Sequence, residues 1–142
     1  MKAVLDTSVL IAVDVPALEG ELAISTVSLA ELHFGVLVTA DARIRAERLR
    51  RLSELQRKFD ALPVDDDVAT SYGQLAAAVA DSGRQPRSRV MDLLIAATAH
   101  AHSARLYTRN ARDLTGVEHL IGLFGFQRGV IVGRSSQLGR PA

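Results

Sequence analysis

Four acids sit in apolar settings: Asp6, Glu31, Asp92 and Asp113. Asp6 ends a short run, residues 2–5, that reads as a buried strand, and ligands of parallel sheets bind beyond the carboxyl ends of strands. Asp before Thr-Ser is also a good helix cap, so both readings stay open. Glu31 falls four residues after Val27 and three before Phe34, inside the apolar face Val27, Ala30, Phe34 and Val38. A buried unpaired carboxylate is costly, so a cation should meet it, either a metal ion or a structural arginine. Asp92 is the one acid between Asp81 and Asp113 and precedes the run Leu93-Leu94-Ile95-Ala96-Ala97-Thr98-Ala99. It can cap that helix, although Ser88 could do so a turn earlier. Asp113 follows an expected strand through Thr108-Arg109-Asn110, where turn aspartates are common.

Carboxylates brought to one point repel unless a cation neutralises them. All-oxygen ligands suit Mg²⁺ or Mn²⁺ and disfavour zinc. His33, His100, His102 and His119 lack a metal-binding spacing and read as structural or surface residues. The hydroxyls of Thr7, Ser8 and Thr108 can orient ligands or water, or simply cap helices and turns. Arg109 and Arg112 flank the last acid, and Arg84, Arg87 and Arg89 precede Asp92. Both clusters suit phosphate groups if they are not merely solvated loops.

The elements that must position these groups alternate. Strands are expected at 2–5, 21–25, 62–64 and 104–107. Helices are expected at 8–13, 27–38, 40–60, 67–81 and 89–102, with a polar loop at 82–88. This is an α/β pattern: one domain with a mostly parallel central sheet flanked by helices. Residues 125–142 lose the periodicity. They are expected to form a C-terminal tail outside a domain of residues 1–124, with one added strand at 130–132 and a mobile end.

The chain has 142 residues, 48% hydrophobic and only 4% aromatic, so Ala, Leu and Val must fill the core. No cysteine is present, which excludes disulfides, thiolate metal sites and a cysteine nucleophile. No apolar stretch has the length of a membrane span and no cleavage-site pattern follows the N-terminus, so a cytoplasmic protein is expected. Net charge is +1, but unevenly divided. Residues 1–71 carry eight Lys/Arg against twelve Asp/Glu; residues 72–142 carry nine against four.

Leu5-Asp6-Thr7-Ser8-Val9-Leu10-Ile11 resembles the opening motif of PIN-domain ribonucleases. Ser28-Leu29-Ala30-Glu31-Leu32-His33-Phe34-Gly35 resembles their second motif, and Asp92 through Ala99 their third. Leu106-Tyr107-Thr108-Arg109-Asn110-Ala111-Arg112-Asp113-Leu114 resembles the fourth. The order holds across residues 1–120 and is nearest to VapC-type toxins of bacterial toxin–antitoxin pairs. The resemblance implies a PIN fold and a Mg²⁺- or Mn²⁺-dependent endoribonuclease. It also implies RNA as substrate, a VapB-type antitoxin as partner, and a homodimer. Asp6, Glu31, Asp92 and Asp113 would be its catalytic and metal-binding acids, with Thr7, Ser8, Thr108 and Asn110 in support. Asn110 and Asp113 both suit the last ligand position; Asp113 is taken as the acid. Residues 12–25 are short for the family, and the tail beyond 124 matches none of its motifs.

Two other readings are weighed. A haloacid-dehalogenase-type phosphatase would want a second acid two residues after Asp6, where Ser8 stands. A PIN-like domain that binds RNA or a protein without cutting is the alternative of a different class. A P-loop enzyme is excluded, since no GxxxxGK[ST] is present.

Overall fold

The architecture was taken from a computed structural model, which describes residues 1–12, 17–18, 20–127 and 130–134. The chain opens with strand β1 (Lys2–Leu5) and a one-turn helix α1 (Thr7–Leu10). Strand β2 (Glu21–Ser25) leads directly into α2 (Thr26–Leu37), whose start is capped by Ser25 accepting the Val27 N–H at 3.0 Å. Helix α3 (Ala42–Lys58), strand β3 (Asp60–Leu62) and helix α4 (Asp66–Asp81) follow. A 3-10 turn, Pro86–Arg89, feeds helix α5 (Val90–Ala101) and strand β4 (Arg105–Thr108). A second 3-10 turn, Ala111–Leu114, precedes strands β5 (Leu123–Gln127) and β6 (Val130–Arg134).

The sheet order is β3-β2-β1-β4-β5-β6. The first five strands are parallel, and β6 returns antiparallel to β5. The expected α/β fold with a mostly parallel sheet is therefore present. From β1 the chain winds outward to β2 and β3, then crosses back to β4 on the other side. The boundary between β1 and β4 is a topological switch point, where open α/β sheets leave a crevice at the strands' carboxyl ends. Leu5 pairs with Tyr107 there.

Strand alternation divides the core between the two faces of the sheet. Val4 and Leu106 pack with Val68, Leu75, Val79, Leu93 and Ile95 beneath α4 and α5. Ala3, Leu5 and Tyr107 face Val9, Leu10 and Ile24 on the other side.

Several elements differ from the sequence reading. The third strand is Asp60–Leu62 and not 62–64, because Pro63 has no N–H to extend the ladder. The segment expected as a short helix at 8–13 is helical only over Thr7–Leu10, and residue 13 lies outside the described residues. Strand β5 was not anticipated, since Gly125 breaks its apolar pattern. A strand does form where residues 130–132 suggested one. The end expected to be mobile, residues 135–142, lies outside the described residues.

The largest correction concerns α2. Of the apolar face Val27, Ala30, Phe34 and Val38, Val27 alone is buried; Ala30 is exposed, Phe34 is 68% exposed and Val38 61%. Ser28 and Val36 face inward beside Val27. A helix that is apolar on both sides can be covered by the sheet on only one of them.

Candidate active site

Asp6 stands one residue past β1, with its own N–H bonded to the Tyr107 carbonyl at 3.0 Å. Its side chain caps α1, Oδ1 accepting the Val9 N–H at 3.2 Å, and it also accepts from the Ser8 and Thr108 hydroxyls. The cap reading and the site reading thus both hold. Burial pushes the Asp6 carboxyl above the usual carboxylate range, against the hydrogen bonds from Ser8, Thr108 and the Val9 N–H.

Asp6, Asp92, Thr108, Asn110 and Asp113 line one cleft, floored by Leu106 and Leu114. Its free volume of about 10 Å³ is that of a single water-sized sphere. Thr108 is fully buried at the end of β4, and its hydroxyl accepts the Asn110 N–H at 3.0 Å, holding the following turn closed. Asp92 sits in the first turn of α5. It does not cap that helix; Arg89 occupies the cap position without a side-chain bond, and the Ser88 hydroxyl turns to the Gln85 carbonyl.

Burial raises the Asp92 carboxyl above its ordinary range first, and repulsion from Asp113, Glu31 and Asp6 adds to it; Arg89 alone acts the other way. Asp92 therefore feels the other three predicted acids. Glu31 approaches from α2 on the far side of Thr7. The Thr7 hydroxyl lies 2.8 Å from Glu31 Oε1 and 3.0 Å from Ser28 Oγ, so its single proton goes to the carboxylate. Glu31 and Thr7 also wall a larger groove of about 490 Å³, lined by Ile11, Leu32, Gly35, Arg48 and Arg51.

The donors fit a hard divalent cation: carboxylates, hydroxyls and one amide at a crevice sized for one small ion. In the conformation described, three of the four acids take another partner. Asp6 bonds Ser8, Glu31 bonds Thr7, and Asp113 bonds Arg89. Among the described residues no three acid or histidine side chains close on a single point. Asp6, Asp92 and Asp113, which line the cleft, and Glu31, which adjoins it through Thr7, are the residues that would hold such an ion.

Of the predicted arginines, Arg84, Arg87, Arg109 and Arg112 are exposed, and Arg89 is half-buried. Ser28 was missed by sequence reasoning, as was the grip of Arg89 on Asp113. The spacing of Ser28 three residues before Glu31 on one helix was the available signal.

The PIN domain family model matches residues 3–118. Ribonuclease VapC5 of Mycobacterium tuberculosis is 41% identical over 113 residues, covering 75% of this chain and 82% of that protein. The chain belongs to the PIN-domain family, in its VapC-type branch. The solved VapBC-5 toxin–antitoxin structure from Mycobacterium tuberculosis superposes on this PIN domain with a TM-score of 0.75 at 38% identity, covering 88% of this chain and 98% of that one. VapBC2 from Rickettsia felis, solved bound to a DNA fragment from its promoter, shares the fold at a TM-score of 0.74 and 23% identity, over 89% of this chain and all of that one.

Proposed function

We propose that this PIN domain is a Mg²⁺- or Mn²⁺-dependent endoribonuclease, the toxin of a toxin–antitoxin pair. The carrying observation is the meeting of Asp6, Asp92 and Asp113 with Thr108 and Asn110 in one cleft at the β1–β4 switch point, with Glu31 adjoining. The names of the VapC relatives support the reaction class, and the VapBC structures support an antitoxin partner.

Asp6, Glu31, Asp92 and Asp113 would hold the ion. When bound, it lowers the pKa of a coordinated water and neutralises charge on the scissile phosphate. The chain's own residues do the rest. Ser8 and Thr108 fix the Asp6 carboxylate, Thr7 fixes Glu31, and Thr108 sets the turn carrying Asn110. Arg109 and Arg112, in the segment between Thr108 and Asp113, and the exposed Arg84 and Arg87 would supply positive charge to a phosphate backbone.

The outer face of α2 suits the partner. Phe34, Leu37 and Val38 are more than 60% exposed and adjoin the groove that leads to Glu31. Uncovered apolar patches of this kind mark interfaces. A VapB-type segment lying there would obstruct the cleft. Val90 and Met91, exposed at the start of α5, are apolar surface for a second copy in a homodimer acting in the cytoplasm.

The test is cleavage of RNA by the purified chain with EDTA, Mg²⁺ or Mn²⁺, alongside Asp6→Asn. Cleavage that needs the metal and drops by more than about a hundredfold in the variant is expected, since even outer partners of a metal site are worth about 10–100-fold. A folded wild-type protein that binds RNA and cuts none under any metal would make this a binding domain.

A further inference from the structure

Arg89 closes the 3-10 turn just before α5, three residues ahead of Asp92. Its guanidinium Nη1 donates to Asp113 Oδ1, joining elements 24 residues apart. The ion pairs Arg43–Glu47 and Arg50–Glu54 differ in kind, running along α3 in open solvent. The Arg89 and Asp113 side chains keep 32% and 40% of their surface exposed, so the pair is held but not locked in. Arg89 is also the positive charge that faces Asp92.

We infer that Arg89 is a resident counter-ion that holds Asp113 in the metal-free protein, yields it to a divalent cation, and then grips an RNA phosphate at the same edge of the cleft. The inference rests on the metal-dependent ribonuclease reading above. While its Oδ1 serves Arg89, Asp113 has only Oδ2 left fully free for a cation. Without some cation the three neighbours of Asp92 would repel it unopposed. Arginine keeps its charge at all working pH, so the exchange runs by movement and not by proton loss. Its planar fork matches carboxylate and phosphate alike, which lets one side chain serve both states.

The experiment titrates Mn²⁺ into the full chain by calorimetry, without RNA, for wild type, Arg89→Gln, Arg89→Lys and Arg87→Gln. Arg89→Gln should bind Mn²⁺ at least about threefold more tightly, because a partly exposed ion pair is worth a small factor of this order. Arg89→Lys, which keeps the charge but loses the fork, should gain less. Arg87→Gln, a neighbouring cation without this partner, should change little. At saturating Mn²⁺, Arg89→Gln should raise KM for RNA several-fold with kcat nearly unchanged. Mn²⁺ affinity that stays equal or weakens in Arg89→Gln overturns the inference, as does an equal gain in Arg87→Gln. A wild-type chain that binds no Mn²⁺ overturns the metal reading as well, which keeps the two failures apart. If Arg89→Gln does not fold, Arg89→Lys decides alone: unchanged Mn²⁺ affinity there counts against the exchange.

Discussion

Ser8 fastens Asp6 to the segment after β4. Its hydroxyl donates to Asp6 Oδ1 and accepts the backbone N–H of Arg109 at 2.9 Å. One side chain on α1 thus ties the acid that follows β1 to the turn that follows β4. Ser8→Ala should lower RNA cleavage by about 10–100-fold, the usual cost of losing an outer partner of a ligand. The melting temperature should drop only modestly, by a loss on the order of 1 kcal/mol. Steady-state kinetics beside a thermal scan checks the split; wild-type cleavage in a folded variant would remove Ser8 from the site's support.

Asp6 and Asp92 give the metal-free protein a particular pH response. Both carboxyls are raised above the ordinary range, Asp6 by burial and Asp92 by burial and then its acidic neighbours. Between the ordinary and the raised values the folded chain binds protons that the unfolded chain has released. Stability from these groups therefore falls as pH climbs through that window. In EDTA, Asp92→Asn should melt above wild type near neutral pH, and its advantage should shrink as pH falls toward about 4. Melting curves of the two proteins from about pH 4 to about pH 7 measure the difference and cancel groups common to both. Saturating Mg²⁺ or Mn²⁺ should stabilise wild type instead, by about 2.7 kcal/mol at a hundredfold excess over Kd. A variant that melts below wild type at neutral pH would place a net attraction at Asp92.

The outer face of α2 should matter to a partner and not to the fold. Phe34 is 68% exposed, so Phe34→Asp should leave melting within about 0.5 kcal/mol of wild type. It should leave cleavage by the isolated chain intact, while weakening capture of a co-expressed antitoxin by at least tenfold, about 1.4 kcal/mol. Unchanged capture would move the partner to another surface.

Gly116 anchors the turn that follows Asp113. Its φ is +105°, and a Cβ there would meet Ser82 Oγ at 3.0 Å. Gly116→Ala should cost about 1–3 kcal/mol through backbone strain. Denaturant titration reads this directly, and a neutral result would show that the turn relaxes.

What was legible in the sequence was what neighbours in the chain decide. The apolar run before Asp6 marked β1, and the strand before Thr108 marked β4, both within a residue of their places. Asp6, Glu31 and Asp92 could be picked out because each borders or interrupts an apolar stretch, and Asp113 because it follows a strand's end. The buried face of α2 could not, because Phe34 and Val38 are as apolar as Val27 and Val36, and only the sheet's position chooses between them. Strand β5 was hidden because Gly125 carries no β signal; the ladder beside β4 supplies it. The Arg89–Asp113 pair was equally out of reach, since many arginines could have met that acid and the packing of two 3-10 turns picked one.

The pairing of β1 with β4 sets an order on the protein's own synthesis. Asp6 is made first of the four acids, but its cleft has no second wall until Thr108 and Asp113 exist. At about 5–20 residues per second, roughly 5–20 s separate the first acid from the last. During that interval β1 has β2 beside it and nothing on its other edge. A chain cut short before β4 would carry Asp6, Glu31 and Asp92 and still have no crevice to bring them to. Whatever this site does to RNA, it cannot begin on a nascent chain until Asp113, 107 residues after Asp6, has been made.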